Sequence, residues 1–156
     1  MLDIKIPGRG SYNIEHLVLD LNGTISLDGG IIGGVTGRLK RLRHQLDITV
    51  VTADTNRNAE SLLADLPVRI QTISENQENE QKLTVVLETG KENTVSIGNG
   101  CNDVSMLRES AIGICVVGKE GASSEALMAS DVVAPTINDA LDLLLKPQRL
   151  RATLRR

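Results

Sequence analysis

The chain has 156 residues, of which 40% are hydrophobic, and this suits one domain with a single core. Tyr12 is the only residue among Phe, Trp and Tyr, which argues against the stacked aromatic platforms that hold single-stranded nucleic acid. The net charge of −3 gives no overall attraction to nucleic acid or to an anionic membrane, so we expect neither as a partner.

Strand-like and helix-like segments alternate along the chain. After the first predicted strand, the segment 22–34 is rich in glycine and contains two short strand-like runs, which predicts a hairpin-like flap. The predicted strands are His16–Leu21, Asp47–Thr52, Pro67–Ile73, Thr94–Gly98, Ile112–Val117 and Asp131–Ala134. The predicted helices are Thr36–Gln45, Thr55–Leu66, Glu75–Leu87, Asp103–Glu109, Gly121–Ala129 and Ile137–Leu145.

This alternation of apolar strands and helices predicts an α/β fold. We expect three layers of Rossmann-like type, with a central parallel sheet that carries helices on both faces. Ligands of such sheets bind beyond the carboxyl ends of the strands, so functional side chains are expected there.

The end of the chain differs in composition from the rest. We expect one domain over residues 1–146 and a basic tail over residues 147–156. The tail contains Arg149, Arg151, Arg155 and Arg156, and Lys146 precedes it directly. A solvated end explains these charges most simply, and a docking patch is the alternative. No signal peptide opens the chain and no apolar run reaches the length that spans a membrane, so we expect a cytoplasmic protein.

Polar side chains gather at three predicted strand ends. Asp20 ends the first strand, Thr52 ends the second, and the turn 98–103 follows a later one, with Lys82 in the preceding helix. A carboxylate can attack phosphorus and form an acyl phosphate, provided that a cation relieves the repulsion from the phosphate. Carboxylate oxygens hold Mg²⁺, while a lysine and a hydroxyl satisfy the remaining phosphoryl oxygens.

The order of these motifs resembles the haloacid dehalogenase-like superfamily of phosphatases and phosphotransferases. Within it, the chain most resembles the phosphorylation domain of P-type ATPases and their small soluble relatives. The matches are Asp20, Gly23 and Thr24 to the strand-DxxGT turn, Thr52-Ala53-Asp54 to the TGD segment, Lys82 to the family's lysine, and Gly98, Gly100, Asn102 and Asp103 to the GDGxND turn. The resemblance covers about residues 14 to 145 and includes the GICVVGKEGASSEALMASD stretch.

The resemblance implies an enzyme that depends on Mg²⁺, with a phosphorylated substrate and a role for each matched residue. Asp20 would be the nucleophile, with Asn22 and Lys82 as the other catalytic positions. The implied phosphate-binding residues are Asp20, Gly23, Thr24, Thr52, Ala53, Lys82 and Asn102. The implied metal ligands are Asp20, Asn22 through its backbone carbonyl, Asn99, and Asp103 directly or through water.

Two positions depart from the family pattern. Phosphatases of the superfamily carry an acid two residues after the nucleophile, whereas this chain has Asn22, which cannot transfer a proton at neutral pH. Asn99 stands where the family has a metal-ligating Asp, so this ligand brings no charge. We therefore expect slow turnover that favours activated phosphates.

The gaps between motifs leave no room for a cap domain. Residues 24–47 hold only a flap and a helix, and residues 52–82 hold only a helix and a strand. The site is then open unless a neighbouring subunit covers it. With the apolar pair Ile31-Ile32 in a glycine-rich loop, this predicts a homo-oligomer with the flap near its interface.

Less specific interpretations stand beside these. Asp20 could form part of a turn, Lys82 could be a solvated helix lysine, Thr52 could bond only to backbone, and Asp103 could serve a helix N-terminus. Two other functions therefore compete with the phosphohydrolase or phosphotransferase. One is a catalytically weakened phosphate-binding or regulatory module, and the other is a structural subunit that assembles through the flap.

Overall fold

A computed structural model describes residues 1–54 and 58–156. The described strands are β1 (Leu2–Ile6), β2 (Gly10–Ile14), β3 (His16–Asp20), β4 (Ser26–Leu27), β5 (Gly30–Ile31), β6 (Asp47–Thr52), β7 (Arg69–Thr72), β8 (Thr94–Gly98), β9 (Ile112–Val116) and β10 (Val132–Ala134). The described helices are α1 (Val35–Leu42), α2 (Asn58–Leu63), α3 (Glu78–Thr89), α4 (Val104–Glu109), α5 (Ser124–Ala129), α6 (Ile137–Leu145) and α7 (Pro147–Leu154). The first three residues of the helix predicted over 55–66 lie outside the described residues.

Six strands form one parallel sheet in the order β10-β9-β8-β3-β6-β7. Because β3 lies in the middle, its side chains are covered on both faces, and Leu17, Val18 and Leu19 are fully buried. The largest apolar cluster packs the sheet against α1 and α6, and a smaller one packs Val18 and Val51 against Val86 of α3. The predicted α/β fold with helices on both faces of a parallel sheet is confirmed.

A β-hairpin at the start of the chain was not predicted. β1 pairs with β2 in antiparallel register, and Leu2, Ile4 and Ile6 alternate inward to join the main core. The alternation is short, and its apolar face is covered by α7, which comes from the other end of the chain.

The segment expected to be a solvated tail is a helix that belongs to the domain. In α7, Leu150 and Leu154 lie four residues apart and are buried in the main core. Pro147 occupies its first turn, where the missing N–H costs nothing. The expectation of a tail over residues 147–156 is therefore wrong for residues 147–154, since apolar spacing outweighs the basic charges.

The predicted flap is present as the two-stranded ribbon of β4 and β5. Ile31 and Ile32 are half-buried and pack on the main core, so the expectation that a monomer exposes them is wrong. Together with Leu27, Val116 and Ile137 they line a largely apolar cavity of about 540 Å³ beneath the flap.

None of the helices that the structure describes is both long and apolar enough to cross a bilayer.

Gly113 provides a test of the packing between β9 and α4. A β-carbon at Gly113 would overlap the carbonyl oxygen of Leu107 and lie 2.8 Å from its carbonyl carbon. Since these are backbone atoms that cannot rotate away, Gly113→Ala is expected to lower the free energy of unfolding by about 1–3 kcal/mol in urea titrations.

Gly37→Ala is the matched control for this substitution. Gly37 lies inside α1, and a β-carbon there would meet nothing within 4 Å. The same exchange should therefore raise the free energy of unfolding by about 0.5–1 kcal/mol, because alanine favours the helix. Equal effects of the two substitutions would contradict the close approach of β9 and α4.

Candidate active site

The parallel sheet brings three sequence motifs to one edge. β3 pairs with β6 on one side and with β8 on the other, and Asp20 lies opposite Val51 in the register. Asp20 therefore ends beside Thr52 of β6 and beside the loop that follows Gly98 of β8. This meeting of motifs at the carboxyl ends of the central strands agrees with the sequence-based expectation.

Lys82 joins two of these motifs. Its Nζ donates hydrogen bonds to Oδ1 of Asp20 and to Oδ1 of Asp103, both at 2.7 Å, and the side chain is 1% exposed. Lys82, Val85 and Val86 follow the i, i+3, i+4 spacing, so the lysine lies on the buried face of α3. The interpretation of Lys82 as a solvated helix lysine is wrong.

Asp103 is turned toward the protein rather than toward solvent. Its second oxygen, Oδ2, accepts hydrogen bonds from the backbone N–H groups of Asn99 and Gly100, both at 2.9 Å. A β-carbon at Gly98 would lie 2.5 Å from that oxygen, so the carboxylate fits only because residue 98 is glycine. The arrangement fixes the loop after β8 and holds Lys82, which makes Asp103 a less accessible metal ligand than the sequence suggested.

Asp20 is the buried carboxylate that reaches the cavity. Thr24 donates through Oγ1 to Oδ2 of Asp20 at 3.0 Å and lies 3.4 Å from Oδ1 of Asn99. Burial, and then the neighbouring Asp103 carboxylate, raise the pKa of Asp20 from its ordinary 3.8 to about 6, against the opposing effect of Lys82. Burial lowers the pKa of Lys82, but attraction by Asp20 and Asp103 outweighs this and raises it above its usual value.

The turn after Asp20 uses its own amide groups. The N–H of Gly23 donates to the carbonyl of Ser26 at 2.8 Å, and the N–H of Thr24 donates to the carbonyl of Leu21 at 3.3 Å. The resemblance implied that Gly23 and Thr24 bind phosphate, yet the backbone amides of both residues are engaged inside the turn. The side chain of Thr24 instead supports Asp20.

A polar cavity of about 530 Å³ lies over Asp20. Its lining contains the predicted residues Asp20, Asn22, Thr52, Ala53, Asn99 and Asn102. The predicted residues Lys82 and Asp103 are buried and do not line it, and the predicted residues Gly23 and Thr24 line the apolar cavity beneath the flap instead. Glu75 and Glu78 also line the cavity, and nothing in the sequence singled them out because they belong to the polar start of a predicted helix.

The charges around this cavity favour a bound cation. The charge of Lys82 is already matched by two carboxylates, and Glu75 and Glu78 add negative charge at the cavity wall. Glu78 accepts a hydrogen bond from Nδ2 of Asn102 at 2.6 Å, which occupies one amide donor. A phosphate entering here would meet uncompensated negative charge unless a cation accompanied it.

The donor atoms fit a hard divalent cation in part. Nδ2 of Asn99 donates to the carbonyl of Gly121 at 3.2 Å, which turns its Oδ1 toward Thr24. The carboxylate of Asp20 and the amide oxygen of Asn99 are thus oxygen donors of the type that Mg²⁺ prefers. Within residues 1–54 and 58–156, no three His, Cys, Asp or Glu side chains cluster as metal ligands, so the cation would be held by few charges.

Comparisons with known proteins agree with this fold. A family model described as haloacid dehalogenase-like hydrolase matches residues 78–141. The cobalt-bound deoxy-D-mannose-octulosonate 8-phosphate phosphatase from Haemophilus influenzae superposes with a TM-score of 0.73, at 16% identity, over 92% of this chain and 94% of that one. At this identity the likeness concerns the fold alone.

Two relatives are closer in sequence. An uncharacterised protein of Methanocaldococcus jannaschii is 50% identical over 78 residues, which are 47% of this chain and 84% of that protein. The mouse phospholipid-transporting ATPase 11C is 48% identical over 52 residues, which are 33% of this chain and 4% of the ATPase. Together with the six-stranded parallel sheet and its strand-end motifs, these matches show that the chain belongs to the haloacid dehalogenase-like superfamily of hydrolases.

Proposed function

We propose that the protein is a phosphohydrolase or phosphotransferase that forms an aspartyl-phosphate on Asp20. The observation that carries this proposal is the position of Asp20. It lines a polar cavity, and its Oδ1 accepts a hydrogen bond from Nζ of the buried Lys82 at 2.7 Å. A carboxylate fixed in this way needs little reorganisation before it attacks. The match to a haloacid dehalogenase-like hydrolase model and the likeness to a phospholipid-transporting ATPase in sequence support the same chemistry.

The proposed reaction has two steps. A carboxylate oxygen of Asp20 bonds to phosphorus while the bond between phosphorus and the leaving-group oxygen breaks, and the leaving group takes the electron pair. Water then attacks the phosphorus of the aspartyl-phosphate, the bond from phosphorus to Asp20 breaks with its electron pair returning to the carboxylate, and a proton of the water passes to solvent. If an acceptor hydroxyl replaces water, the same step is a phosphotransfer.

The residues around Asp20 divide the remaining tasks. Lys82 positions the nucleophile and offsets the charge of Asp103, so its role is to hold rather than to contact the phosphate. Thr52 lines the cavity and accepts the N–H of Asp54 at 3.1 Å, which orients its hydroxyl beside Asp20. We propose that Thr52, Ala53 and Asn102 contact the phosphoryl oxygens.

We propose Mg²⁺ as the cation, held by Asp20, the backbone carbonyl of Asn22 and Asn99. When bound, it supplies the positive charge that lets an anionic phosphate approach an anionic carboxylate. Because Asn99 is neutral, we infer weaker binding than in relatives that carry an acid there. A homo-oligomer and a cytoplasmic location stay predictions, although the half-burial of Ile31 and Ile32 removes one reason for the first.

The first test of the proposal is the phosphoenzyme itself. Asp20→Asn is expected to abolish labelling of the protein by acetyl phosphate in the presence of Mg²⁺, because an amide oxygen is a poor nucleophile. Intact-protein mass spectrometry after acid quenching detects the acyl phosphate. Asp65→Asn, an isosteric change in an exposed turn, is the control and should label like wild type. Labelling that survives in Asp20→Asn would contradict the assignment of the nucleophile.

Asn22 provides the second test. Wild type should hydrolyse activated phosphates such as acetyl or nitrophenyl phosphate better than alkyl phosphates, because Asn22 cannot protonate a leaving alkoxide. Asn22→Asp supplies an acid at the cavity, so the rate for alkyl phosphates should rise by about 10²–10⁴-fold, with a smaller gain for activated ones. Steady-state rates over a series of leaving groups measure this. Unchanged or lower rates across the whole series would favour the phosphate-binding or regulatory module.

Lys82 provides the third test, on stability and pH. Lys82→Met leaves two buried carboxylates uncompensated, so the free energy of unfolding should fall by about 3–5 kcal/mol at pH 7. Without the ammonium, which lowers the pKa of Asp20, that pKa rises further above about 6, so Asp20 becomes neutral as the pH falls. The loss should therefore shrink between pH 7 and pH 5 in urea titrations.

The control for Lys82 is Lys91→Met. Lys91 pairs with Glu109 at 3.1 Å, and its side chain is 41% exposed. Exposed pairs contribute about 0–1 kcal/mol, so this change should be small at both pH values. A loss for Lys82→Met that is as small as this, or that grows toward pH 5, would refute the buried triad.

A further inference from the structure

The loop between β9 and α5, residues 117–123, is tied directly to the candidate active site. The N–H of Ser123 donates to the carbonyl of Asn99 at 2.9 Å, and Nδ2 of Asn99 donates back to the carbonyl of Gly121 at 3.2 Å. Gly118 and Gly121 adopt positive φ values of 60° and 77°. These two turns bend the loop so that the residues between them face the turn after Asp20.

Glu120 is the acid that this loop presents. A β-carbon at Gly23 would overlap Oε2 of Glu120, and it would lie 3.0 Å from Nδ2 of Asn99. The carboxylate of Glu120 thus occupies the space that a side chain at residue 23 would fill, close to the side-chain amide of Asn99. Gly23 has a φ of 78°, which glycine adopts without strain, and its lack of a side chain leaves room for Glu120.

Within residues 1–54 and 58–156, no hydrogen bond or ion pair fixes the carboxylate of Glu120, and the residue is exposed. A carboxylate beside the backbone of the Asp20 turn adds negative potential on the side of the site where the proposed ligands Asn22 and Asn99 are neutral. Neither Asn99 nor Asn22 can supply the negative charge that Glu120 carries, because both side chains are neutral.

We propose that Glu120 is a further residue of the cation site and supplies the negative charge that Asn99 does not. The inference rests on the proposed function, which requires a divalent cation at Asp20. Mg²⁺ in proteins is held by one or two carboxylates and keeps several waters. Asp20 would be the carboxylate that holds the cation directly, and Glu120 would be a second carboxylate beside it, placed to accept hydrogen bonds from water bound to the cation.

Mn²⁺ binding followed by electron paramagnetic resonance tests this inference without any turnover. Glu120→Gln should weaken Mn²⁺ binding by about 10- to 100-fold, the range found when groups that support metal ligands are removed. Asn99→Asp should tighten binding because it adds a charged ligand. In the Asn99→Asp background, Glu120→Gln should have a smaller effect, since the missing charge is then supplied by residue 99.

Glu125→Gln is the matched control, because Glu125 is an exposed acid in the first turn of α5 and does not approach Gly23. It should leave Mn²⁺ affinity unchanged, and urea titrations should show that neither Gln variant unfolds. If wild type binds Mn²⁺ in a way that Asp20→Asn abolishes, but Glu120→Gln binds equally well, the role of Glu120 is refuted and the proposed function stands. If wild type shows no binding that depends on Asp20, the cation of the proposed function fails and the role of Glu120 fails with it.

Discussion

A buried ammonium between two carboxylates is the interaction on which the candidate site depends. Lys82 connects Asp20 at the end of β3 with Asp103 after β8, so three distant parts of the chain meet at one nitrogen. Buried ion pairs of this kind add little stability because desolvation offsets attraction. The main effect of the triad is to fix a position, because it holds Asp20, the member of the triad that lines the cavity.

The triad carries one more negative charge than positive when both acids are ionised, and this excess is directed at the cavity. Glu75 and Glu78 reinforce it, and so does Glu120 on the other side of the Asp20 turn. Such a site attracts a cation before it accepts an anion. The side chains of Asn22 and Asn99 are neutral, so a cation bound there would be held by the surrounding carboxylates as much as by its own ligands.

The sequence predicted the parallel sheet well because its strands are apolar throughout and buried on both faces. It also predicted that Asp20, Thr52, Lys82 and the loop after β8 would meet, since strand ends of a parallel sheet share an edge. It could not reveal the β1–β2 hairpin or α7, whose apolar faces cover each other from opposite ends of the chain. Nor could it show that the amides of Gly23 and Thr24 are used inside their own turn, because that depends on local hydrogen bonds.

The division of the triad along the chain bears on how the site depends on folding. Asp20 comes from the end of β3 and Lys82 from α3, 62 residues later, while Asp103 follows after a further 21 residues, beyond β8. No local segment contains all three groups, so they meet only after β3, α3 and β8 have packed together. A partly folded chain would therefore present the carboxylate of Asp20 without the ammonium that fixes its position.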